Sequence, residues 1–321
     1  MPNYQGVWSL TTQMQAKGDN NWPLGPSGFG AGFAFLGGGR IDTSSSYSNT
    51  ILTANFNTLG EYSDFGDLTS ARQALGALAS ATRGVWGGGT DGSGKNIMDY
   101  VTLASSGNAT DFGDLAVADY SKGGLSNSTR GLFWGGSYTI SNYIDYITIA
   151  SAGNSSDFGD LSMQYASGQP GFGSTSRGIM PIGGSSNGYD GAIEYVTYSS
   201  TGNTTDFGDQ TVYRKFGANG SSSTRGLMAM GATASADVDT MDYVTIASTG
   251  NATDFGDMTP ARDTAAAASN SISLMASGGQ YAAVANTNVV NIATLGNASD
   301  YGNLTTATRS WAGCCGSHGG I

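Results

Sequence analysis

Short stretches in which apolar and polar residues alternate recur along this chain and are separated by turn residues. One unit contains four of them, at residues 72–80, 83–89, 97–104 and 107–115. Residues 97–104 alternate apolar and polar positions and include β-branched side chains, which is typical of a half-buried strand. No segment shows helical periodicity. The pattern predicts four short β-strands in each unit, which we call A to D in chain order.

The same order of segments returns six times, and the phrase Asp-Phe-Gly-Asp marks the last segment of each unit. Its aromatic residue stands at positions 65, 112, 158, 207 and 255, and as tyrosine at 301 in a weaker copy. The copies are 46 to 49 residues apart. Four strands per unit at this period are typical of a β-propeller blade. The sequence therefore predicts an all-β fold in which residues 26–321 form six four-stranded blades.

The two ends of the repeat are incomplete in complementary ways. Residues 33–39 read as a B strand with little room for an A strand before it, whereas residues 309–317 align with the A strand at 72–80. We therefore expect the C-terminal strand to be the inner strand of blade 1, since this closure removes two open sheet edges. Cys314 and Cys315 would then be small apolar fillers of an inner strand rather than a redox pair.

The order of motifs resembles the kelch repeat, because two glycines end the second strand and aromatic residues lie in the third and fourth. The fourth strand carries Phe or Tyr where kelch repeats usually have Trp, so the repeat is kelch-like. The lead at residues 3–18, together with the tandem GNATDFGD, TRG and MDYVTIAS motifs, resembles kelch-like structural proteins of tailed bacteriophages, particularly marine ones. The resemblance implies a virion component that is synthesised and assembled in the host cytoplasm, such as a tail-fibre, tail-hub or capsid-surface module.

Charge restricts the partners that this chain can bind. It has 24 acidic and 13 basic residues, a formal net charge of −11, and no cluster of Lys and Arg. Nucleic-acid binding requires a basic patch that neutralises phosphates, so we expect no nucleic-acid partner. An anionic membrane surface is disfavoured for the same reason, and no apolar run approaches the roughly 20 residues of a membrane span. The first residues lack the basic and apolar regions of a secretory signal.

The residues give little support to catalysis. His318 is the single histidine, whereas kelch-type oxidases hold copper with two histidine ligands. Paired carboxylates recur in five of the six units, unlike the single acid–base pair of a hydrolase. We therefore expect a protein that is not an enzyme and that carries no cofactor.

The repeated Asp-Phe-Gly-Asp has two interpretations. One is a Ca²⁺ site, but this ion needs six to eight oxygen ligands and one Asp-x-x-Asp supplies only part of them. In the other, which we favour, the aromatic ring packs between blades, the glycine allows an unusual backbone angle and the aspartates cap turns. The repeated Thr-Arg-Gly likewise predicts arginines that bind an aspartate or a backbone carbonyl of a neighbouring turn, rather than a ring that grips an anion.

The copies agree on one face of the predicted ring and differ on the other. The A–B and C–D loops, which share one face, are nearly identical between units, and we call this the uniform face. The B–C and D–A loops share the opposite, variable face, where length and composition change. Recognition usually resides in variable loops on a rigid scaffold, although drift in unconstrained loops is the alternative. The candidate binding residues are Tyr47, Asp91, Lys95, Tyr138, Asn142, Tyr189, Asp190, Asp237 and Tyr281.

Residues 1–25 lie outside the repeat and form an N-terminal arm. Its apolar positions Tyr4, Val7, Trp8 and Leu10 are expected either to pack against the propeller or, as we favour, to dock on other virion proteins. The leading hypothesis is a non-enzymatic virion protein that acts in particle assembly or in adhesion to a glycan or protein of the host surface. The alternative is a free cellular propeller that binds proteins or glycans.

Overall fold

The computed structural model describes residues 32–41, 46–58, 60, 62–137, 141–165, 169–184, 191–279 and 284–321. Within these residues the regular secondary structure is all β, in 27 strands that we number β1 to β27 in chain order. They form six four-stranded antiparallel sheets and one small three-stranded sheet. The six larger sheets are the blades of a β-propeller, which confirms the predicted fold class.

Each blade contains the predicted A, B, C and D strands. Blade 1 consists of β27 (Ala312–Cys315), β1 (Phe33–Gly37), β4 (Thr50–Asn55) and β5 (Tyr62–Asp67). Blade 2 consists of β6 (Gly76–Ala79), β7 (Arg83–Gly87), β8 (Lys95–Thr102) and β9 (Thr110–Asp119). Blade 3 consists of β10 (Gly123–Ser126), β11 (Arg130–Trp134), β12 (Ser141–Thr148) and β13 (Ser156–Tyr165).

The remaining three blades follow the same order. Blade 4 consists of β14 (Phe172–Gly173), β15 (Arg177–Pro181), β16 (Ala192–Thr197) and β17 (Thr205–Asp209). Blade 5 consists of β18 (Ala218–Ser221), β19 (Arg225–Ala232), β20 (Asp237–Thr245) and β21 (Thr253–Asp257). Blade 6 consists of β22 (Ala266–Ser269), β23 (Ser273–Ser277), β24 (Asn286–Asn291) and β25 (Ser299–Asn303). The small sheet pairs β26 (Thr308–Arg309), β2 (Arg40–Ile41) and β3 (Ser46–Tyr47).

The C-terminal strand completes blade 1, as the two incomplete ends predicted. Strand β27 pairs antiparallel with β1, with Ala34 opposite Cys315 and Phe35 opposite Cys314. Both cysteines are buried free thiols, and burial raises the pKa of each. A raised pKa suppresses the reactive thiolate, so these cysteines serve as packing residues.

The inner strands are built from small residues because neighbouring inner strands approach each other closely around the central channel. A Cβ atom on Gly124 of β10 would lie 2.3 Å from the carbonyl oxygen of Ala77 in β6. A Cβ atom on Gly313 of β27 would lie 2.4 Å from the carbonyl oxygen of Ala267 in β22. Such distances exclude a side chain, so glycine at these positions sets how tightly the ring can close.

Apolar cores lie between neighbouring blades, and the described residues form one core for each of the six pairs. The core between blades 1 and 2 joins Phe35 to Trp86. The core between blades 6 and 1 joins Met275 to Leu36 and Phe56. Since the last blade shares a core with the first, the ring is closed. Burial of each such side chain stabilises the fold by about 1.5–3 kcal/mol.

The aromatic ring of each Asp-Phe-Gly-Asp belongs to these cores. Phe112 is 2% exposed and packs in the core that blade 2 shares with Phe133 and Ile147 of blade 3. It also meets Tyr100 of its own blade edge to face, with 5.7 Å between the ring centroids. Edge-to-face packing is the geometry that the charge distribution of aromatic rings favours. The predicted packing of this ring between blades is confirmed.

The glycine of the phrase touches the C–D turn of the next blade. At Gly113 the φ angle is +135°, and an added Cβ would lie 2.5 Å from the carbonyl of Gly153. The Asp114 amide donates to Asn154 Oδ1 at 3.0 Å, so the asparagine side chain makes the capping hydrogen bond at this contact. The predicted glycine angle is confirmed, and positive φ angles of 134° to 152° recur at Gly66, Gly159, Gly208, Gly256 and Gly302.

In blades 2 to 5, the arginine of the repeated Thr-Arg-Gly or Ser-Arg-Gly links the blade to the next one on the uniform face. The Arg83 guanidinium lies 4.6 Å from the ring centroid of Tyr100, and its Nη1 donates to the Ile149 carbonyl of blade 3 at 3.0 Å. This confirms the predicted bond to a carbonyl of a neighbouring turn. The corresponding bonds run from Arg130 to Tyr198, from Arg177 to Ile246 and from Arg225 to Ile292.

Candidate binding site at the channel mouth

The D–A segments on the variable face form a rim around the central channel. In five blades, the residue two positions before the inner strand has a φ angle between 53° and 60°. This left-handed conformation is uncommon for residues other than glycine. These five account for all but one of the positive-φ non-glycine residues described: Ala74, Ser121, Phe216, Thr264 and Ser310. The equivalent segment of blade 4, at 166–168, lies outside the described residues.

Backbone hydrogen bonds join these rim residues into a belt. The Ser121 amide donates to the Ala74 carbonyl at 2.7 Å, and the Ala74 amide donates to the Ser310 carbonyl at 2.6 Å. The Ser310 amide continues to Thr264, and the Thr264 amide to Phe216, both at 3.0 Å. Four of the five left-handed residues therefore donate their amide to the preceding blade, which fixes the rim and satisfies backbone groups that would otherwise be unpaired.

A cavity of about 90 Å³ lies directly beneath the rim. Its wall consists mainly of the small residues of the inner strands, with Phe216 and Trp311 as the large side chains. Lys122 is the charged residue in the wall. Burial lowers the pKa of Lys122, whereas the nearby carboxylates of Asp145 and Asp119 raise it. The cavity is thus mostly apolar with a few polar groups, which is the usual character of a small-ligand site.

The C-terminal tail lies across the other end of the channel. The ring of His318 lines a second cavity of about 50 Å³ at the uniform-face end, beside Ser126 and Asn219. His318 Nε2 lies 3.0 Å from the Ala79 carbonyl, and the Gly319 amide donates to the Ser221 carbonyl at 3.2 Å. His318 Nε2 also lies 3.1 Å from Ser126 Oγ, so the tail contacts the inner strands of blades 2, 3 and 5 at the uniform-face end of the channel.

Five chemically different side chains stand next to the rim, each one residue before a left-handed position. They are Gln73, Tyr120, Lys215, Asp263 and Arg309, and all are partly buried. Burial raises the pKa of Asp263; the Asp237 carboxylate raises it further and Arg309 lowers it. Equivalent backbone positions beside the rim thus carry amide, phenol, ammonium, carboxyl and guanidinium groups. A rigid ring with unlike side chains is suited to selective binding.

Sequence reasoning missed this set of residues. It identified the D–A segments as variable but placed all of the candidate binding residues of the variable face in the B–C loops. The sequence does contain a signal for the missed residues. The two residues that lie three and two positions before each inner strand differ in every described blade, although the inner strands themselves are alike.

The predicted residues fall into three groups. Asp91 in the B–C loop of blade 2 and Lys95 at the start of β8 form an ion pair of 2.9 Å, and the hydrogen bond with Lys95 lowers the pKa of Asp91. Tyr47 in β3, Asn142 in β12 and Asp237 at the start of β20 are partly buried. Asp237 interacts with Asp263 beside the rim, and Tyr47 is joined to Arg309 through the pairing of both with Arg40 in the small sheet. Outside the described residues lie Tyr138, Tyr189, Asp190 and Tyr281, and the arm residues Tyr4, Val7, Trp8 and Leu10.

Most of the exposed large apolar side chains lie on the variable face of blades 3 and 4. Tyr143 near the start of β12, Met163 near the end of β13 and Tyr213 in the D–A segment between β17 and β18 are 50%, 41% and 56% exposed. They are three of the five large hydrophobic side chains that are exposed among the described residues. Exposed aromatic side chains are frequent anchors of binding surfaces. The other two are Ile272 and Leu295, on the uniform face of blade 6.

Neither a metal centre nor a membrane span is evident in the described part of the chain. No group of three or more His, Cys, Asp or Glu side chains there is placed to hold a metal ion. Likewise, no helix among these residues is long and apolar enough to cross a membrane.

Fold and site together define the class of the molecule as a six-bladed β-propeller with a chemically varied rim around a central cavity. No protein-family model matches the chain, and no curated protein matches its sequence significantly.

Proposed function

We propose that this chain is a non-enzymatic binding module of a bacteriophage particle, and that it binds its target at the channel mouth on the variable face. The binding function is inferred from the rim, where Gln73, Tyr120, Lys215, Asp263 and Arg309 occupy equivalent positions, each directly before a left-handed residue that lines the cavity. A purely structural ring would need no chemical difference between these positions. Selective contact with another molecule accounts for the difference.

The placement in a virion is supported by the resemblance of the lead and of the tandem motifs to phage structural proteins. In this proposal the N-terminal arm, with Tyr4, Val7, Trp8 and Leu10, docks on other virion proteins. The propeller then presents its variable face to a glycan or protein of the host surface, or to a second particle protein during assembly. The net charge of −11 fits a partner other than nucleic acid or an anionic membrane.

Binding of the isolated propeller to host cells and to a glycan array tests the adhesion role. We expect Tyr213→Ala and Lys215→Ala to weaken binding about 10-fold each, which corresponds to about 1.4 kcal/mol. Leu295→Thr is the matched control, because it removes an equally exposed side chain from the opposite face. If the control weakens binding as much as the rim variants, the rim is not the binding site.

Proteomics of purified particles tests the location. We expect the chain to be present in virions, and deletion of residues 1–22 to prevent its incorporation while leaving the propeller folded. Purified particles that lack the chain would exclude the virion role and favour the free cellular propeller. Normal incorporation of the truncated chain would show that the arm is not the docking segment.

A further inference from the structure

Blades 2 and 5 each contain a buried ion pair that blade 6 lacks. An arginine in the D–A segment pairs with a carboxylate in strand C of the following blade, in Arg72–Asp99 at 2.7 Å and Arg214–Asp242 at 3.0 Å. All four side chains are fully buried. The carboxylate also accepts a hydrogen bond from a threonine hydroxyl three residues before the arginine. Each buried guanidinium in these blades therefore has a buried counter-charge, as its desolvation requires.

Blade 6 keeps the arginine and lacks the acid. Arg262 is fully buried and corresponds to Arg72 and Arg214, but the position of Asp99 and Asp242 is taken by Asn288. Among the described residues the Nε and Nη1 atoms of Arg262 have no hydrogen-bond partner, and neither has Asn288 Oδ1. Arg214 also leaves Nε and Nη1 unpaired, so the difference between the blades lies in the missing negative charge.

The surroundings of Arg262 are polar where the other blades are apolar. Thr287 occupies the place of Ile51, Met98, Ile144, Ile193 and Met241 in the other strands C. The phenol of Tyr62, from blade 1, contacts the hydroxyls of Thr287 and Ser277. Arg262 Nη2 donates to the Ala276 carbonyl at 3.2 Å. Three hydroxyl groups and one guanidinium thus meet in the interior between blades 6 and 1.

The pKa shifts of Arg262 and Tyr62 also indicate that the charge of Arg262 has no neighbouring counter-charge. Burial lowers the pKa of Arg262 to about 10, and Tyr62 is the single titratable group that opposes this shift. Burial raises the pKa of Tyr62, so its phenol is neutral at physiological pH and supplies no charge. Within the described residues no carboxylate therefore neutralises Arg262.

We propose that Arg262 binds a small inorganic anion of the halide type, such as chloride, between blades 6 and 1, where blades 2 and 5 have a carboxylate. The fully buried guanidinium leaves no route for a bulky organic ligand. A monatomic anion can accept hydrogen bonds from the free Arg262 N–H groups and from a neighbouring hydroxyl, and it cancels the buried charge. The site joins the ends of the ring, so its occupancy stabilises closure.

The test is the anion dependence of thermal unfolding at constant ionic strength, with chloride or bromide against gluconate. A halide that binds the native state should raise the melting temperature of the wild type by about 2 °C or more. Asn288→Asp supplies the missing carboxylate, so this variant should melt in gluconate at least as high as the wild type does in chloride. It should also lose the difference between the salts.

Two results would overturn the proposal: equal melting temperatures of the wild type in both salts, or the same halide effect in Asn288→Asp. A second measurement is independent of stability. Crystals grown in bromide should show an anomalous peak in contact with Arg262 in the wild type and none in Asn288→Asp. An ordered water, or a direct Arg262–Asn288 hydrogen bond with no peak, would exclude the anion site.

Discussion

At the scale of single residues, Arg83 and its counterparts perform two tasks with one side chain. The guanidinium stacks on a tyrosine of its own blade and donates to a carbonyl of the next, so it orders both partners at once. The planar group with its fixed donors suits this double contact better than a lysine would. In blade 6 the position is Ser273, and Val289 replaces the tyrosine. The contact between blades 6 and 1 instead uses Tyr62 and Tyr301, whose rings meet edge to face.

The glycine of Asp-Phe-Gly-Asp provides a residue-scale prediction. Gly113→Ala would force a Cβ to within 2.5 Å of the Gly153 carbonyl at a φ angle of +135°, so we expect unfolding free energy to fall by about 1–3 kcal/mol. Chemical denaturation measures the change. Gly107→Ala is the control, because nothing lies within 4 Å of a Cβ there. Equal effects of the two substitutions would contradict the steric account.

Residue-scale reasoning from the sequence was most successful where the same residue recurs. Six copies of one phrase made it clear that Phe112 and Gly113 are architectural, and the structure places both at contacts between blades. The left-handed residues Ala74, Ser121 and Phe216 could not be predicted, since none of these residue types favours positive φ. Hydrogen bonds to the neighbouring blade hold them in this conformation, and such long-range bonds leave no local signal.

At the scale of elements, the C-terminal tail is a packed segment whose hydrogen bonds define which ring nitrogen of His318 carries the proton. His318 Nδ1 accepts from the Gly320 amide at 3.1 Å, so the proton of the neutral ring is on Nε2, which donates to the Ala79 carbonyl. Protonation of Nδ1 would break the bond to Gly320. The hydrogen bonds of the tail therefore favour the neutral imidazole.

This arrangement predicts a pH dependence. Burial lowers the pKa of His318 below its usual 6.5, with the Ala79 carbonyl opposing part of the shift. The unfolded chain takes up a proton near 6.5 and the native state does not, so the stability contributed by His318 is present above that pH and is lost as pH falls below it. The single histidine gives one imidazole signal by NMR, and we expect its midpoint below 6.5. A midpoint at or above 6.5 would show that the ring is not buried in solution.

The strands illustrate what periodicity can and cannot predict. Alternation identified the C strands, and the predicted bounds 97–104 agree with β8 (Lys95–Thr102) to within two residues. The three-stranded sheet of β2, β3 and β26 was missed, because its strands are two residues long and β26 lies more than 250 residues from the others. A pattern of two residues carries no periodicity, so such a sheet can be found only from three-dimensional contacts.

At the scale of the whole molecule, stability depends on closure by β27. Deletion of residues 312–321 removes the inner strand of blade 1 together with Ala312, Cys314 and Cys315, which belong to the cores on both sides of that blade. We expect a loss of about 5 kcal/mol or more, comparable to the whole stability of a typical domain. Denaturant unfolding followed by fluorescence measures it.

Deletion of residues 316–321 is the matched control for that truncation. It keeps β27 and removes the tail with His318, so we expect a smaller loss and a transition that stays cooperative. If the shorter deletion destabilises the protein as much as the longer one, the tail rather than the strand pairing closes the ring.

The pairing of β1 with β27 also orders events during synthesis. Phe33–Gly37 is the first blade strand to leave the ribosome among the described residues, yet its inner neighbour, Ala312–Cys315, is made after all five other blades. The nascent chain must therefore carry blade 1 with an open, apolar inner edge throughout translation, exposed to pairing with other growing chains. The first blade to be translated is the last to be completed, and yield in a host will depend on how well that edge is protected in the interval.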